Sequence, residues 1–310
     1  MTRAADESLA RAHAALALRR FEEALDHAGR AIAADPARAA SHYALARALA
    51  GLGRNHQALR ALEAASARAP EWSAPYARKS EVLGALGDHL NALAAAEEAV
   101  RLSPSSAWEH LMLAIAALKL RDYGRARAAV DVAAQLSPAN PDVWSVSGDV
   151  CLALERYPAA EQEYRKSLAL DPADPHALNN LAVALQRQGK ADEATQVYRS
   201  AIRLDPTHGL AKQNLQALLD QRLGKAAGAL AALWVLWSAF SRLTTPHVDG
   251  MNPASDDLER VLTAVAAVTG GTMLVIWARK LQLRFKLRRT DPELLALHRQ
   301  LRADEKARRL

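Results

Sequence analysis

The chain has 310 residues, half of them apolar, 24% charged and only 5% aromatic, with a formal net charge of +6 at pH 7. One cysteine excludes an intrachain disulfide framework and zinc sites of the paired-cysteine kind. From Arg279 to Leu310 eleven Lys or Arg face four Asp or Glu, an excess of seven that leaves the first 278 residues at −1, so no basic nucleic-acid-binding face is expected there.

The first residues, Met1 to Glu7, contain no apolar segment of the secretory kind, so the body of the chain is expected to stay in the cytosol. After a short tail, 1–4, a period of 34 governs the sequence: Pro36, Pro70, Pro104, Pro138, Pro172 and Pro206 stand at that step. Ala24, Ala58, Ala92, Ala126, Ala160 and Ala194 form a second ladder, and Leu18, Leu52, Leu86, Leu120 and Leu154 a third. A fixed period of this length is the signature of a repeat architecture. Proline lacks a backbone donor and ends a helix. The residue before it (Asp35, Ser103, Ser137, Asp171, Asp205) reads as a helix cap, and Gly53, Gly87 and Gly189 read as turns between paired helices. A two-helix unit cannot bury its apolar face alone, so the units are expected to stack. The constant alanines mark close helix crossings. Cys151, equivalent to Leu49, Leu83, Ala117 and Leu185, reads as a small core residue.

With units at 5–38, 39–72, 73–106, 107–140, 141–174 and 175–208, the eighth position is small (Ala12, Ala46, Ser80, Ala114, Gly148, Ala182). So is the twenty-seventh (Ala31, Ala65, Ala99, Ala133, Ser167, Ala201), and the thirty-second is proline. This pattern resembles the tetratricopeptide repeat family. The resemblance covers 5–208 and implies an all-α, right-handed superhelical solenoid of six helix-turn-helix repeats. Departures are Ser8, His42, His110 and Leu178 at the aromatic-favouring fourth position, where Tyr76 and Trp144 conform, and Ala28 and Ala96 at the twenty-fourth, where Tyr164 and Tyr198 conform.

The resemblance also implies a concave groove lined by the first helix of each unit, through its second, fifth, ninth and twelfth positions. Carried onto this chain, with neighbours, the groove takes His13, Tyr43, Arg47, Ala77, Arg78, Glu81, Trp108, Leu111, Ile115 and Leu118 from the first four units. The last two give Asp142, Ser145, Asp149, His176, Asn179, Val183 and Gln186. Trp108 beside aliphatic residues is either an apolar anchor for a partner or core folded over the neighbouring unit.

Residues 209–222 read as a capping helix with Leu210, Leu215, Leu218 and Leu219 on one side. Two uncharged runs follow, Ala226 to Ser241 and Val261 to Ala278, which as helices reach about 24 and 27 Å against a hydrocarbon core of about 30 Å. They are read as transmembrane helices at 223–243 and 261–278, joined by a polar extracytoplasmic loop at 244–260. The other reading is a hairpin buried against the solenoid end. The tail, 279–310, opens with Arg279, Lys280, Arg284, Lys286, Arg288 and Arg289, which hold both termini on the cytoplasmic side of a plasma (inner) membrane. After Arg289 an amphipathic helix capped by Asp291 reads either as lying on anionic lipid headgroups or as a solvated basic tail.

No phosphate-cradling loop, zinc-protease histidine pair or nucleophile elbow is present in the sequence. His42 and His110 occupy equivalent packing positions, and Glu22, Glu23, Glu97 and Glu98 lie on outward faces. No catalytic residue, metal, cofactor, small-molecule substrate or nucleic-acid partner is expected. The expected role is a non-enzymatic, membrane-tethered scaffold of bacterial type that binds a protein partner, or a non-catalytic subunit of an envelope enzyme or secretion complex.

Overall fold

The computed structural model describes residues 3–221 and Ala296. Among them every regular element is helical: α1 (Arg3–Ala17), α2 (Phe21–Ala34), α3 (Ala39–Gly51), α4 (Asn55–Arg68), α5 (Ser73–Ala85) and α6 (His89–Leu102). They continue as α7 (Ala107–Lys119), α8 (Tyr123–Leu136), α9 (Pro141–Ala153), α10 (Tyr157–Leu170), α11 (Pro175–Arg187) and α12 (Ala191–Leu204), and residues 209–221 form α13. The chain divides into two compact units at Lys190–Ala191.

In the first unit the helices pair as antiparallel hairpins, and each hairpin packs on the next. The odd-numbered helices also touch one another in sequence, α1 to α3 and onward to α11. This is the solenoid-like stacking that the repeat demands. The alanine column is sealed: Ala24, Ala58, Ala126 and Ala160 are wholly buried and Ala92 is 1% exposed. With Ala31, Ala65, Ala99 and Ala133 also buried, the helices approach closely, and a larger side chain would have to push one aside at a cost of about 1–3 kcal/mol. Cys151 is buried, and burial pushes its thiol above the ordinary value, with the Arg127 guanidinium opposing.

Each proline of the ladder sits in the turn after an even-numbered helix. The residue before it leaves the helical region, at φ −149°, ψ 91° for Asp35 and φ −140°, ψ 75° for Ser103, because the proline ring excludes that region there. Asp35 and Asp171 were expected to cap helices. Instead they accept the backbone N–H two residues on, from Ala37 (3.2 Å) and Ala173 (3.0 Å), and so close the proline turn itself. The side chains that cap the next helices are Asn140 and Asp174, accepting from Asp142 (3.0 Å) and His176 (2.8 Å).

The fourth position explains itself through the same turn. His42 Nε2, His110 Nε2 and Trp144 Nε1 each reach the carbonyl oxygen of the preceding ladder proline, Pro36, Pro104 and Pro138, at 3.0, 2.8 and 2.7 Å. A carbonyl only accepts, so the Nε2 of each of these histidines carries the proton. Histidine thus replaces the aromatic residue without losing the bond that pins the turn.

The tight turns inside each hairpin use one left-handed residue per unit. Gly53, Gly87 and Gly189 have φ of 72°, 82° and 81°, and the equivalent Arg19, Arg121 and Glu155 take 57°, 61° and 58°. Non-glycine residues are strained there.

In the second unit, α12 buries Ala194, Tyr198, Ala201 and Ile202, and α13 buries Ala211, Leu215, Leu218 and Leu219. Leu210, expected on the apolar side, is 63% exposed: it lies in the first turn, off the stripe formed by the other three leucines. The expected spans at 223–243 and 261–278, the loop between them and the basic tail lie outside the described residues. Among the described residues no helix is long and apolar enough to cross a membrane.

Candidate protein-binding groove

The odd-numbered helices of the first unit run side by side, so equivalent positions on them form rows. The ninth position gives His13, Arg47, Glu81, Ile115, Asp149 and Val183; the second gives Trp108, Asp142 and His176 among others. Contacts between consecutive helices tie the rows together. The Arg78 guanidinium of α5 lies over the Trp108 ring of α7 at 5.2 Å and pairs with Glu81. Arg47 stands 6.0 Å from the Tyr43 ring, and Tyr43 meets Trp72 edge-on at 4.8 Å.

Trp108, Ile115 and Leu118 are half-buried, packed against the core cluster of the middle hairpins yet reachable from solvent. Leu111, expected beside them, is 1% exposed and belongs to the core. Ser145 and Asn179 are buried as well. All three hold the fifth position, where Leu9 and Ala77 are also buried and only Tyr43 is partly open. The side-by-side packing of the odd-numbered helices explains this: the fifth position faces the neighbouring helix. Arg47, Arg78, Asp149, Val183 and Gln186 are partly exposed, and Glu81 and Asp142 are exposed.

At the far end of the rows a polar network forms around Asp149. Its Oδ1 accepts from the Tyr164 hydroxyl (2.6 Å) and from Asn180 Nδ2 (2.8 Å), and its Oδ2 lies 3.7 Å from His176 Nε2. Burial first, then the Asp149 charge, push the Tyr164 phenol far upward, so it stays a donor. The Asp149 carboxylate beside it raises His176 above the ordinary histidine value. At the other end, burial and then Arg47 and Arg38 lower His13.

Asn180 and Trp72 were not among the expected groove residues. Asn180 holds the sixth position, the same as Arg78, so the third unit already carried the signal. Trp72 closes its own unit and reaches Tyr43 only through the fold. Among the described residues no group of three metal-ligating side chains comes together.

Two family models, both described as tetratricopeptide repeat, match the sequence: one over residues 78–141, 111–175 and 148–208, the other over 15–79. A chain of the APC/C hetero-tetramer Cut9–Hcn1 has a similar structure, with TM-score 0.65 and 19% identity, over 69% of this chain and 43% of that one. This chain therefore spans less than half of that relative's length. Pseudomonas aeruginosa PilF matches with TM-score 0.57 and 20% identity, over 69% of this chain and 97% of that one. TTC0263, a thermophilic tetratricopeptide repeat protein of Thermus thermophilus, matches with TM-score 0.54 and 27% identity, over 59% of this chain and all of that one. No curated protein sequence matches.

Proposed function

The chain belongs to the tetratricopeptide repeat family, and from that premise we propose that it is a protein-interaction scaffold tethered to a membrane, binding a partner protein along the odd-numbered helices. The family's fold suits protein partners in general. The observation that carries the groove reading is Trp108: its half-buried ring shares helix α7 with the half-buried Ile115 and Leu118 and has the Arg78 guanidinium over it at 5.2 Å. A large aromatic held by an arginine on an otherwise polar face has the composition of an interface anchor.

The tether rests on sequence alone, on the two uncharged runs and the six Lys or Arg within 279–289. Charge asymmetry of this kind keeps both termini in the cytoplasm.

Crosslinking from the groove of the full chain tests the first part. Trp108→Ala is expected to weaken capture of the crosslinked partner by about 2 kcal/mol, with little change in folding; unchanged capture with lowered stability would return Trp108 to the core. Cysteine labelling tests the second part. In a Cys151→Ala background, Ser255→Cys reacts with an impermeant thiol reagent on intact cells and Thr290→Cys reacts only after lysis. Labelling of Thr290→Cys in intact cells, or carbonate release of the chain, removes the tether.

A second reading draws on Trp234, Trp237 and Trp277 within the uncharged runs. In it those rings contact a polytopic partner, and the chain is a non-catalytic subunit of a larger envelope or secretion complex. A stoichiometric membrane partner in mild-detergent purification distinguishes this from soluble partners only.

A further inference from the structure

We infer that the groove takes a protein segment of fixed polarity, with acidic residues against Arg47, an apolar side chain against Trp108 and Ile115, and basic residues against Asp142. The inference rests on the groove-binding reading above and adds the chemistry of the partner.

The argument begins with which charges are paired. On the even-numbered helices pairing is the rule: Arg30 with Asp26, Arg101 with Glu98, Arg125 with Glu97, Arg127 with Asp131, and Lys166 with Glu163. On the rows of the odd-numbered helices, Arg78 and Glu81 cancel one another. Asp149 is engaged by Tyr164, Asn180 and His176. Two charges remain uncompensated. Arg47 has the Tyr43 ring beside it, and among the described residues no carboxylate lies within ion-pair distance. Asp142 is exposed and has only like charges for electrostatic company, Asp174 and Asp171.

Both ends make themselves felt on neighbouring groups. After burial, the Arg47 charge is the next influence holding His13 down. Asp142 is raised by burial first and then by Asp174 and Asp171. A ligand that brings an anion to Arg47 and a cation to Asp142 relieves the unfavourable field at each site. Between them the rows present only the neutral Arg78–Glu81 pair and the uncharged Trp108, Ile115 and Leu118. A basic segment is repelled at Arg47 and an acidic one at Asp142, so a partner of uniform charge satisfies only one of the two ends. Opposite poles separated by an apolar strip fix the register as well as the orientation of what binds.

The full chain, titrated against labelled synthetic peptides, tests this. The probes are a peptide with a run of Glu, a run of Leu and a run of Lys, its reversed sequence, and a third of the same composition with the charges interspersed. One of the two block peptides is expected to bind about tenfold more tightly than the interspersed one. Arg47→Glu should abolish that preference yet leave a peptide with Gln in place of Glu unaffected. Asp142→Lys should do the same with respect to the Lys run. Both substitutions are on solvent-reachable positions, and unchanged circular dichroism verifies the fold. Equal binding of block and interspersed peptides, no measurable binding of either block peptide, or reversals that weaken every peptide alike would overturn the polarity. If the polarity fails while Trp108→Ala still loses the crosslinked partner, the groove reading stands without it; if Trp108→Ala is also silent, both fall.

Discussion

In the first hairpin, α1–α2, the eighth and twenty-fourth repeat positions hold Ala12 and Ala28, both wholly buried. In the fifth, α9–α10, they hold Gly148 and Tyr164. A Cβ on Gly148 would stand 2.5 Å from the Tyr164 ring, so the glycine is there to admit the tyrosine. The twenty-first position changes in kind too: Leu25 packs against the core of the first hairpin, whereas Glu161 in the fifth is 4% exposed. Glu161 accepts from Gln188 (2.7 Å) and Lys190 (2.8 Å) and pairs with Arg165. One backbone plan thus tolerates an all-alanine seam and a seam with a large ring and a buried carboxylate, provided that each substitution is matched by its neighbour.

The strongest way to break this comparison is Gly148→Ala, which is expected to cost about 2–3 kcal/mol by overpacking against a ring that has nowhere to go. Adding Tyr164→Leu should recover a good part of the loss, because α3–α4 already combines Ala46 with Leu62. Gly84→Ala is the control: nothing lies within 4 Å of the added methyl, and the helix should gain about 0.5–1 kcal/mol. Thermal unfolding reads both, with hydrogen exchange followed at α9–α10 for the first and at α5–α6 for the control, and equal effects at the two glycines would refute the matching.

Next in size is Glu161→Ala, at about 1–2 kcal/mol, since it removes the buried acceptor shared by the half-buried Gln188 and the exposed Lys190 and Arg165. Glu161→Leu, the residue type of the first hairpin, should lose less. Burial works against the Glu161 charge and is the largest influence, but hydrogen bonds from Lys190 and Gln188 with the charges of Arg165 and Lys190 hold it below the ordinary value. A depressed carboxylate stabilises above its unfolded pKa and loses that contribution as pH falls through the folded one. Acid unfolding of the parent should therefore include a component that Glu161→Leu lacks.

Smaller still are Arg19→Gly and Glu155→Gly, one in each hairpin at the left-handed turn. Each should stabilise by about 0.5–1 kcal/mol, the relief of strain exceeding the entropy of glycine. A loss at either would mean that its side chain contributes more than its conformation costs.

The smallest effects are on titration. By NMR, His13 should titrate below the ordinary histidine value and His176 above it. Arg47→Gln should raise the first and Asp149→Asn lower the second. For His176 the raised folded pKa means that its contribution is complete below the unfolded pKa and disappears as pH rises through the folded one. With a side chain 60% exposed, that contribution is slight.

Much of this fold was legible because it is written at a fixed step. The prolines and alanines place turns and crossings without reference to any long-range contact, and the first residues of α3, α5, α7, α9 and α11 coincide with the expected unit starts. The site was less so. The fifth position was expected to open on the groove, but lateral packing of the odd-numbered helices buries Leu111, Ser145 and Asn179, and a period along one chain does not reveal how far adjacent helices rotate toward each other. The match of Gly148 to Tyr164 spans two helices and two columns, each ordinary when read alone. The outward carboxylates were simpler: Glu22, Glu23 and Glu97 are exposed, as solvated helix faces require, and Glu98 is half-buried under its bonds from Arg101.

The bonds to the proline carbonyls have a mechanical consequence. Pro36 receives His42 and also Arg68 Nε at 2.9 Å, and Pro104 and Pro138 each receive one side chain, whereas among the described residues no side-chain donor reaches the carbonyls of Pro70 or Pro172. In the first unit three junctions are thus tied by a side chain to the proline turn, while those of Pro70 and Pro172, on either side of the stretch bearing Trp108, depend on helix packing alone.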